Sequence, residues 1–173
     1  MKKVLTICVL VVLLSALMVH AIPLQQAYTE AQPGAGYDKM IVLDPAETYT
    51  GGLEFDDESI CIISCGALID LQGDRIIAND NGYLDICGVA LTNSDSAAIK
   101  VNTAGQGWID HCTFAGNYDG VHFWIGTNLT MTSNIFSYSE RWGVWTDEST
   151  SRFLAYNNAY SNLGGHYKEW CAG

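Results

Sequence analysis

Apolar residues recur along the chain in short runs separated by glycine, asparagine, aspartate and serine, a pattern typical of strands. No long stretch shows the apolar period of about 3.6 residues that predicts a helix. Five segments align with one another at steps of 22 to 24 residues. Their reference positions are Ile62, Ile86, Ile109, Met131 and Ala155. A period of this length, with two or three strands in each unit, predicts a repeat architecture.

The same alignment predicts which side chains face the interior. Two residues before the reference stand Ile60, Leu84, Gly107, Leu129 and Phe153. Three residues after it stand Cys65, Val89, Cys112, Asn134 and Asn158, and five after it stand Ala67, Leu91, Phe114, Phe136 and Tyr160. A second strand in each unit has the predicted inward positions Ile76, Ile99, Val121, Val144 and His166. Asn134 and Asn158 are expected to form an internal asparagine ladder that satisfies backbone groups.

Each unit is predicted to form one coil whose strands pair with those of the next coil. Equivalent side chains then stack inside at a spacing of about 4.8 Å, and stacking buries the apolar face that one coil cannot bury alone. Residues 40–55 add an irregular first coil. The predicted fold is therefore all-β, a parallel β-helix (solenoid) of about five to six coils. A leucine-rich repeat would need a Leu and Asn framework that is absent, and a β-sandwich would not explain the shared registers.

The first residues have the features of a secretory signal peptide. Two lysines precede an almost wholly apolar segment over residues 4–19, and Val19-His20-Ala21 offers small residues at the two positions that a signal peptidase reads for cleavage after Ala21. An uncleaved membrane anchor is the alternative. The predicted divisions are a signal peptide over 1–21, an N-terminal segment or cap over 22–37, and a β-helix domain over 38–173. We expect a secreted, extracytoplasmic protein with no integral membrane span after cleavage.

The charge of the chain limits the classes of partner that it can bind, and its cysteine content limits the disulfides that it can form. The chain carries 19 acidic and 8 basic residues, a formal net charge of -11, which argues against nucleic-acid binding. The five cysteines after the predicted signal peptide cannot all pair internally; they are Cys61, Cys65, Cys87, Cys112 and Cys171. Cys65 and Cys112 share a predicted inward row but lie two coils apart, too far for a disulfide. Buried cysteines are therefore expected to act as small apolar fillers.

Several segments resemble one known group in their order along the chain. They are residues 38–45, 49–53, 66–70, 84–89 and 109–114. They resemble the opening coils of secreted right-handed parallel β-helix repeat proteins of the pectate-lyase-like superfamily. The resemblance implies right-handed coils and a superfamily that includes polysaccharide lyases, glycoside hydrolases, phage tailspikes and proteins of unknown role. The catalytic motifs of its polygalacturonase-type and pectate-lyase-type members do not occur as an ordered set, so no catalytic residue follows from motif.

Outward positions of the second strand predict a polysaccharide-binding face. If the second-strand positions above point inward, the following residues point outward, one per coil. These outward residues are Lys100, His122, Trp145 and Tyr167, followed two positions later by Asn102, Trp124, Asp147 and Glu169. Arg141, Trp142 and Asp119 are expected at the rim. Indole and phenol rings stack on sugar rings, while charged and polar groups bond to hydroxyls, so this composition suits extracellular polysaccharide.

Two alternatives to simple binding remain open. The first alternative is an enzyme, either a polysaccharide lyase or a glycoside hydrolase. In a polysaccharide lyase, His122 or Lys100 would remove a proton while Asp147 orients the base. In a glycoside hydrolase, Asp147 and Glu169 would serve as acid and base. The second alternative is a structural or adhesive surface protein without a small ligand, in which the aromatic residues pack under turns.

No cofactor is predicted, although Ca²⁺ is possible. The acidic residues that could supply oxygen ligands are Asp44, Asp56, Asp57, Glu58, Asp70, Asp74, Asp80 and Asp85, and a solvated acidic surface is the alternative. His111 and Cys112 with Cys87 match no zinc spacing, so no metal site is predicted. The open ends of a β-helix are possible surfaces for self-association.

Overall fold

The computed structural model describes residues 21–147 and 151–168, which are mostly strand. The one helix within them is α1 (Leu24–Glu30). The strands are β1 (Ala21–Pro23), β2 (Gln32–Gly34), β3 (Tyr37–Val42), β4 (Thr48–Thr50), β5 (Leu53–Asp56), β6 (Ser59–Gly73), β7 (Ile76–Asn79), β8 (Tyr83–Ser94), β9 (Ala97–Val101), β10 (Gln106–Asp110), β11 (Thr113–Ala115), β12 (Asp119–Phe123), β13 (Asn128–Thr132), β14 (Ile135–Ser137), β15 (Trp142–Thr146), β16 (Ser151–Ala155), β17 (Asn158–Tyr160) and β18 (Gly165–Tyr167). Predicted signal-peptide residues 1–20, Glu169 and Cys171 lie outside the described residues.

The strands stack into six parallel coils over the described part of the chain. The first sheet contains one strand from each coil, in the order β3, β6, β8, β10, β13 and β16. The second sheet has the order β5, β7, β9, β12, β15 and β18. A third ladder continues through β8, β11, β14 and β17. The predicted all-β parallel β-helix is therefore confirmed.

The predicted interior is correct in the middle coils. Ile62, Ile86, Ile109 and Met131 occupy one register across the first sheet, and all are buried. In the second sheet the matching row is Ile76, Ile99, Val121 and Val144, also buried. Between the sheets, the rings of Phe114 and Phe136 stack with their centroids 4.8 Å apart. The core is thus a set of parallel rows of apolar side chains, as stacking requires.

Strand β6 departs from the predicted register. Ile63 pairs with Cys87, but the next pair is Ala67 with Val89, so β6 contains two extra residues at this point. Cys65 lies in this irregularity and is exposed, and the prediction that it shares an inward row with Cys112 is wrong. Leu91 pairs with Ile69, not with the predicted Ala67. The insertion breaks the constant spacing on which the sequence alignment depends.

The last coil is also shifted from its predicted register. Leu154, and not Ala155, pairs with Met131, which packs a partly buried leucine against the core and leaves Phe153 exposed. In the second sheet, Tyr167 pairs with Val144. The predicted inward positions that are wrong in this coil are Phe153, Ala155, Asn158, Tyr160 and His166.

Buried asparagines hold the turns between the sheets. The Asn134 side chain accepts a hydrogen bond from the Cys112 amide at 2.9 Å and donates one to the Ile109 carbonyl at 2.9 Å. Asn157, one residue before the predicted Asn158, accepts from the Asn134 amide at 3.0 Å. An asparagine ladder is therefore present, with its last member shifted by one residue. It satisfies backbone groups that the turn removes from the sheet ladder.

Helix α1 packs on the first coil. Its Leu24 is fully buried in the core cluster, and Ala27 and Tyr28 pack against that cluster. Tyr28 also donates a hydrogen bond to Glu58 at 2.5 Å, which raises the pKa of the phenol to about 12. Within residues 21–147 and 151–168, no helix has the length and apolar character needed to cross a membrane.

Candidate functional site

Five of the predicted outward residues form a compact cluster on the second sheet. We call Lys100, His122, Trp124, Trp145 and Asp147 the second-sheet cluster. His122 pairs in register with Lys100 on one side and Trp145 on the other. The rings of His122 and Trp145 stack in parallel with centroids 4.0 Å apart, and the Trp124 ring lies 5.4 Å from the His122 ring. The structure therefore brings these five side chains together.

Burial favours the neutral form of the imidazole in this cluster. His122 is 6% exposed, and its burial is the main reason that its pKa lies below the usual value near 6.5. Asp147, whose Oδ2 lies 3.7 Å from Nε2, raises the pKa, while Lys100 lowers it. The lowered pKa means that burial outweighs the nearby carboxylate.

The Trp145 indole is largely engaged by neighbouring protein groups. His122 of the preceding coil stacks on it, and Lys168 of the following coil has its Nζ 4.5 Å from the ring centroid. The Arg141 guanidinium also lies over the ring, at 4.1 Å. Trp124 is 41% exposed, with the Lys100 ammonium 5.1 Å from its ring. Trp124 is therefore the more open of the two indoles in this cluster.

The predicted rim residues bond mainly to one another. Asp119 is 1% exposed and accepts hydrogen bonds from Arg141, with Nε at 3.0 Å and Nη2 on the other carboxylate oxygen. The backbone amide of Trp142 donates to the same carboxylate at 3.0 Å. The Asp119 hydrogen bond is the main reason that the pKa of Arg141 is raised. Asn102 likewise donates to Asn79 at 2.5 Å.

The last coil removes one predicted binding residue from the outward face. Tyr167 pairs with Val144 and packs partly buried against the core, so its predicted outward position is wrong. Lys168 occupies the place over Trp145 that the prediction gave to Tyr167. Glu169, the predicted partner of Asp147 in a hydrolase, lies outside the described residues.

A second candidate surface lies on the first sheet and was missed from the sequence. We call it the first-sheet groove, a depression of about 330 Å³ lined by Tyr83, Gln106, Gly107, Trp108, Asn128 and Thr130. Trp108 is 48% exposed, and its Nε1 donates to Thr132 Oγ1 at 2.9 Å, which fixes the indole. The sequence did contain a signal for this surface. Asp85 and Trp108 directly precede the inward reference positions of their coils, so strand alternation places both on the outer face.

A smaller pocket of about 160 Å³ adjoins this groove through Trp108. Asp85 lines it, and one oxygen of its carboxylate accepts a hydrogen bond from the Tyr37 hydroxyl. That bond is the main reason that the pKa of Tyr37 is raised. Asp85 Oδ1 is buried and has no hydrogen-bond partner among the residues that the structure describes.

Metal-binding side chains assemble at one place that the sequence did not predict. Among residues 21–147 and 151–168, the group of three ligand atoms within 4.8 Å of one another belongs to Cys87, Asp110 and His111. The acidic residues considered for Ca²⁺ form no such group in this part of the chain.

Comparison with known proteins agrees with the architecture. Residues 50–167, more than half of the chain, match a family model described as the right handed beta helix region. No curated protein matches the chain, and no solved structure matches it. The matched segment contains both the first-sheet groove and the second-sheet cluster.

Proposed function

Since this chain belongs to the right-handed β-helix family, we propose that it binds extracellular polysaccharide in the first-sheet groove. The observation that carries the proposal is the exposed Trp108 indole beside Tyr83 in a concave surface. The secreted location expected from residues 1–21 is part of the same proposal.

The aromatic residues of the groove are suited to sugar rings. Trp108 and Tyr83 present apolar ring surface together with a polar atom. Because Trp108 Nε1 is bonded to Thr132, the indole is already held in place and loses little conformational freedom on binding. Apolar C–H groups of a sugar would cover the exposed ring surface, which is unfavourable in water.

Polar groups around these rings suit hydroxyl groups. Gln106 and Asn128 offer amides, and Thr130 offers a hydroxyl. None of the residues that line the groove is cationic, and the chain has a net charge of -11. A polyanionic glycan would be repelled by this balance. We therefore propose a neutral, hydroxyl-rich polysaccharide.

The direction of the groove favours a polymer. Tyr83, Gln106 and Asn128 stand in one register on three neighbouring strands, and Asp85, Trp108 and Thr130 stand in another. Three strands extend across about 10 Å. A glycan chain lying across the coils would contact the same kind of position on each strand in turn.

Binding to a panel of neutral and acidic glycans tests the proposal. The Trp108→Ala protein is expected to bind the selected glycan at least about 10-fold more weakly, given the energy of a ring contact. Trp124→Ala is the matched control, because it removes an indole of similar exposure from the other sheet. Unchanged affinity in Trp108→Ala with a loss in Trp124→Ala would move the site to the second-sheet cluster. Absence of binding to every glycan would reject the function.

A catalytic role for Lys100, His122 and Asp147 is the weaker alternative. The His122 imidazole has the lowered pKa suited to a base, but it is buried and lies flat against Trp145. Assaying the same panel for unsaturated ends and new reducing ends separates turnover from binding. Unsaturated ends that disappear in His122→Ala would replace the binding proposal with a lyase, and new reducing ends alone would replace it with a hydrolase.

A further inference from the structure

Three side chains of the kinds that bind transition metals meet on the outer face of the first sheet. The Cys87 sulfur, an Asp110 carboxylate oxygen and a His111 ring nitrogen lie within 4.8 Å of one another. We propose that Cys87, Asp110 and His111 form a Zn²⁺ site.

The fold explains how residues distant in sequence reach one point. Cys87 and Asp110 are register partners on β8 and β10, so their side chains leave adjacent strands on the same face. His111 follows at the turn, where it adopts the left-handed backbone conformation with φ of 50°. Its Nδ1 lies 2.7 Å from Asp110 Oδ2. Asp110 and His111, at the end of β10, therefore lie next to the Cys87 thiol on β8 of the neighbouring coil.

The donor set favours Zn²⁺ over the hard cations. A thiolate, an imidazole and a carboxylate are the three ligand types found in zinc sites. Ca²⁺ and Mg²⁺ prefer oxygen ligands only, so a sulfur and a nitrogen donor disfavour them. With three protein ligands, the fourth tetrahedral position is left to water or a bound molecule. The exposed His111 places this position at the protein surface.

A second layer of hydrogen bonds orients the carboxylate. Asp110 Oδ1 accepts a hydrogen bond from Thr132 Oγ1 at 2.5 Å, which leaves Oδ2 toward His111. Thr132 in turn accepts from Trp108 Nε1 at 2.9 Å. Outer-shell partners of this kind fix ligand geometry in metal sites.

An ordinary surface ion pair between Asp110 and His111 is the competing explanation. Such a pair is worth little in water, since the His111 side chain is 67% exposed. It gives no role to Cys87, which is half-buried beside it. A measurement that reports sulfur coordination therefore separates the two explanations.

Titration of the reduced, untagged, metal-free protein with Co²⁺ provides that measurement. We expect one Co²⁺ per chain, a thiolate-to-cobalt charge-transfer band, the visible bands of tetrahedral Co²⁺, and displacement by Zn²⁺. Cys87→Ser is expected to lose the charge-transfer band, and His111→Ala to weaken Zn²⁺ affinity at least about 100-fold. Thr132→Val, which keeps all three ligands, is expected to weaken it about 10-fold.

Matched controls keep the result specific. Cys65→Ser removes an exposed thiol, and His166→Ala removes an exposed imidazole of the last coil, and both proteins should keep the wild-type spectrum and affinity. Circular dichroism of each variant identifies a loss caused by unfolding. A charge-transfer band that persists in Cys87→Ser, or weak binding without any such band, would overturn the site. The titration contains no glycan, so its result is independent of the polysaccharide proposal.

Discussion

His122 and Trp145 lie on neighbouring coils with their rings parallel, 4.0 Å between centroids and 6° between planes. The two residues are register partners on β12 and β15, so the spacing of the coils brings the rings into contact. A stack of this kind buries the imidazole and keeps it away from water. The consequence is a histidine whose protonation is coupled to folding.

We predict that protonation of His122 destabilises the fold. Its pKa is lowered, chiefly by burial, so between that pKa and about 6.5 the unfolded chain binds more protons than the folded one. The free energy of unfolding should therefore rise with pH in this window, by at most about 1.4 kcal/mol per pH unit from this group. Urea unfolding of the wild type and of His122→Gln at several pH values measures the difference in slope.

The exposed His166 provides the control for replacing a histidine by glutamine. His122→Gln should lose the part of the slope that comes from the buried imidazole, and an equal loss in His166→Gln would contradict its assignment to His122. A proton titration of His122 by NMR gives its pKa directly. A value at or above 6.5 would contradict the prediction and its assignment to burial.

The asparagine ladder should be a major source of stability. In Asn134→Ala, the buried Cys112 amide and the Ile109 carbonyl both lose their side-chain partner, and a small cavity forms. We expect the free energy of unfolding to fall by about 2–4 kcal/mol. Asn158→Ala is the control, because Asn158 is exposed and follows Asn157 in the chain without taking its place in the ladder; its change should stay within about 0.5 kcal/mol. Equal losses of unfolding free energy in the two variants would contradict a specific stabilising role for the ladder.

Much of the fold could be predicted because stacking repeats the same requirement in every coil. An apolar side chain must fill the same place above and below its neighbour, so Ile86 and Ile109 align by spacing alone. The prediction failed where spacing changes. The two extra residues of β6 displace Cys65, and the last coil offers adjacent asparagines, of which Asn157 and not Asn158 joins the ladder.

The candidate sites were less predictable because they depend on distances between side chains. Alternation correctly placed His122 and Trp145 on one face, but it could not show that Arg141 and Lys168 lie over the indole. The Cys87, Asp110 and His111 group joins positions one coil apart, and its spacing reflects coil length and not a local motif. Such a group becomes visible only once the register is known.

Gly107 should tolerate no side chain. A Cβ built there would lie 1.9 Å from the Leu84 carbonyl oxygen, and the residue has φ of 156°. We expect Gly107→Ala to lower the free energy of unfolding by more than about 3 kcal/mol, since the backbone between the neighbouring strands must move. Gly116→Ala is the control: its φ is 65°, but its nearest neighbouring atom is 3.7 Å away, so only about 1 kcal/mol is expected. Thermal unfolding of both proteins compares the two costs, and a smaller loss for Gly107→Ala would contradict the close approach of β8 and β10.

The Cys112 thiol should be unreactive toward thiol reagents in the folded protein, although it forms no disulfide. Burial is the main reason that its pKa is raised to about 12, and the side chain is 1% exposed. The reactive thiolate is therefore scarce at neutral pH, and a reagent cannot reach it without opening of the coils.

In Cys61→Ser/Cys87→Ser protein, we expect rapid labelling at the exposed Cys65, while Cys112 reacts at the rate of unfolding, as measured by peptide mass spectrometry. Adding urea should accelerate labelling of Cys112 and leave that of Cys65 nearly unchanged. Rapid labelling of Cys112 in native buffer would mean that this part of the interior opens without global unfolding, and the row containing Val89 and Asn134 would then be weaker than its hydrogen bonds indicate.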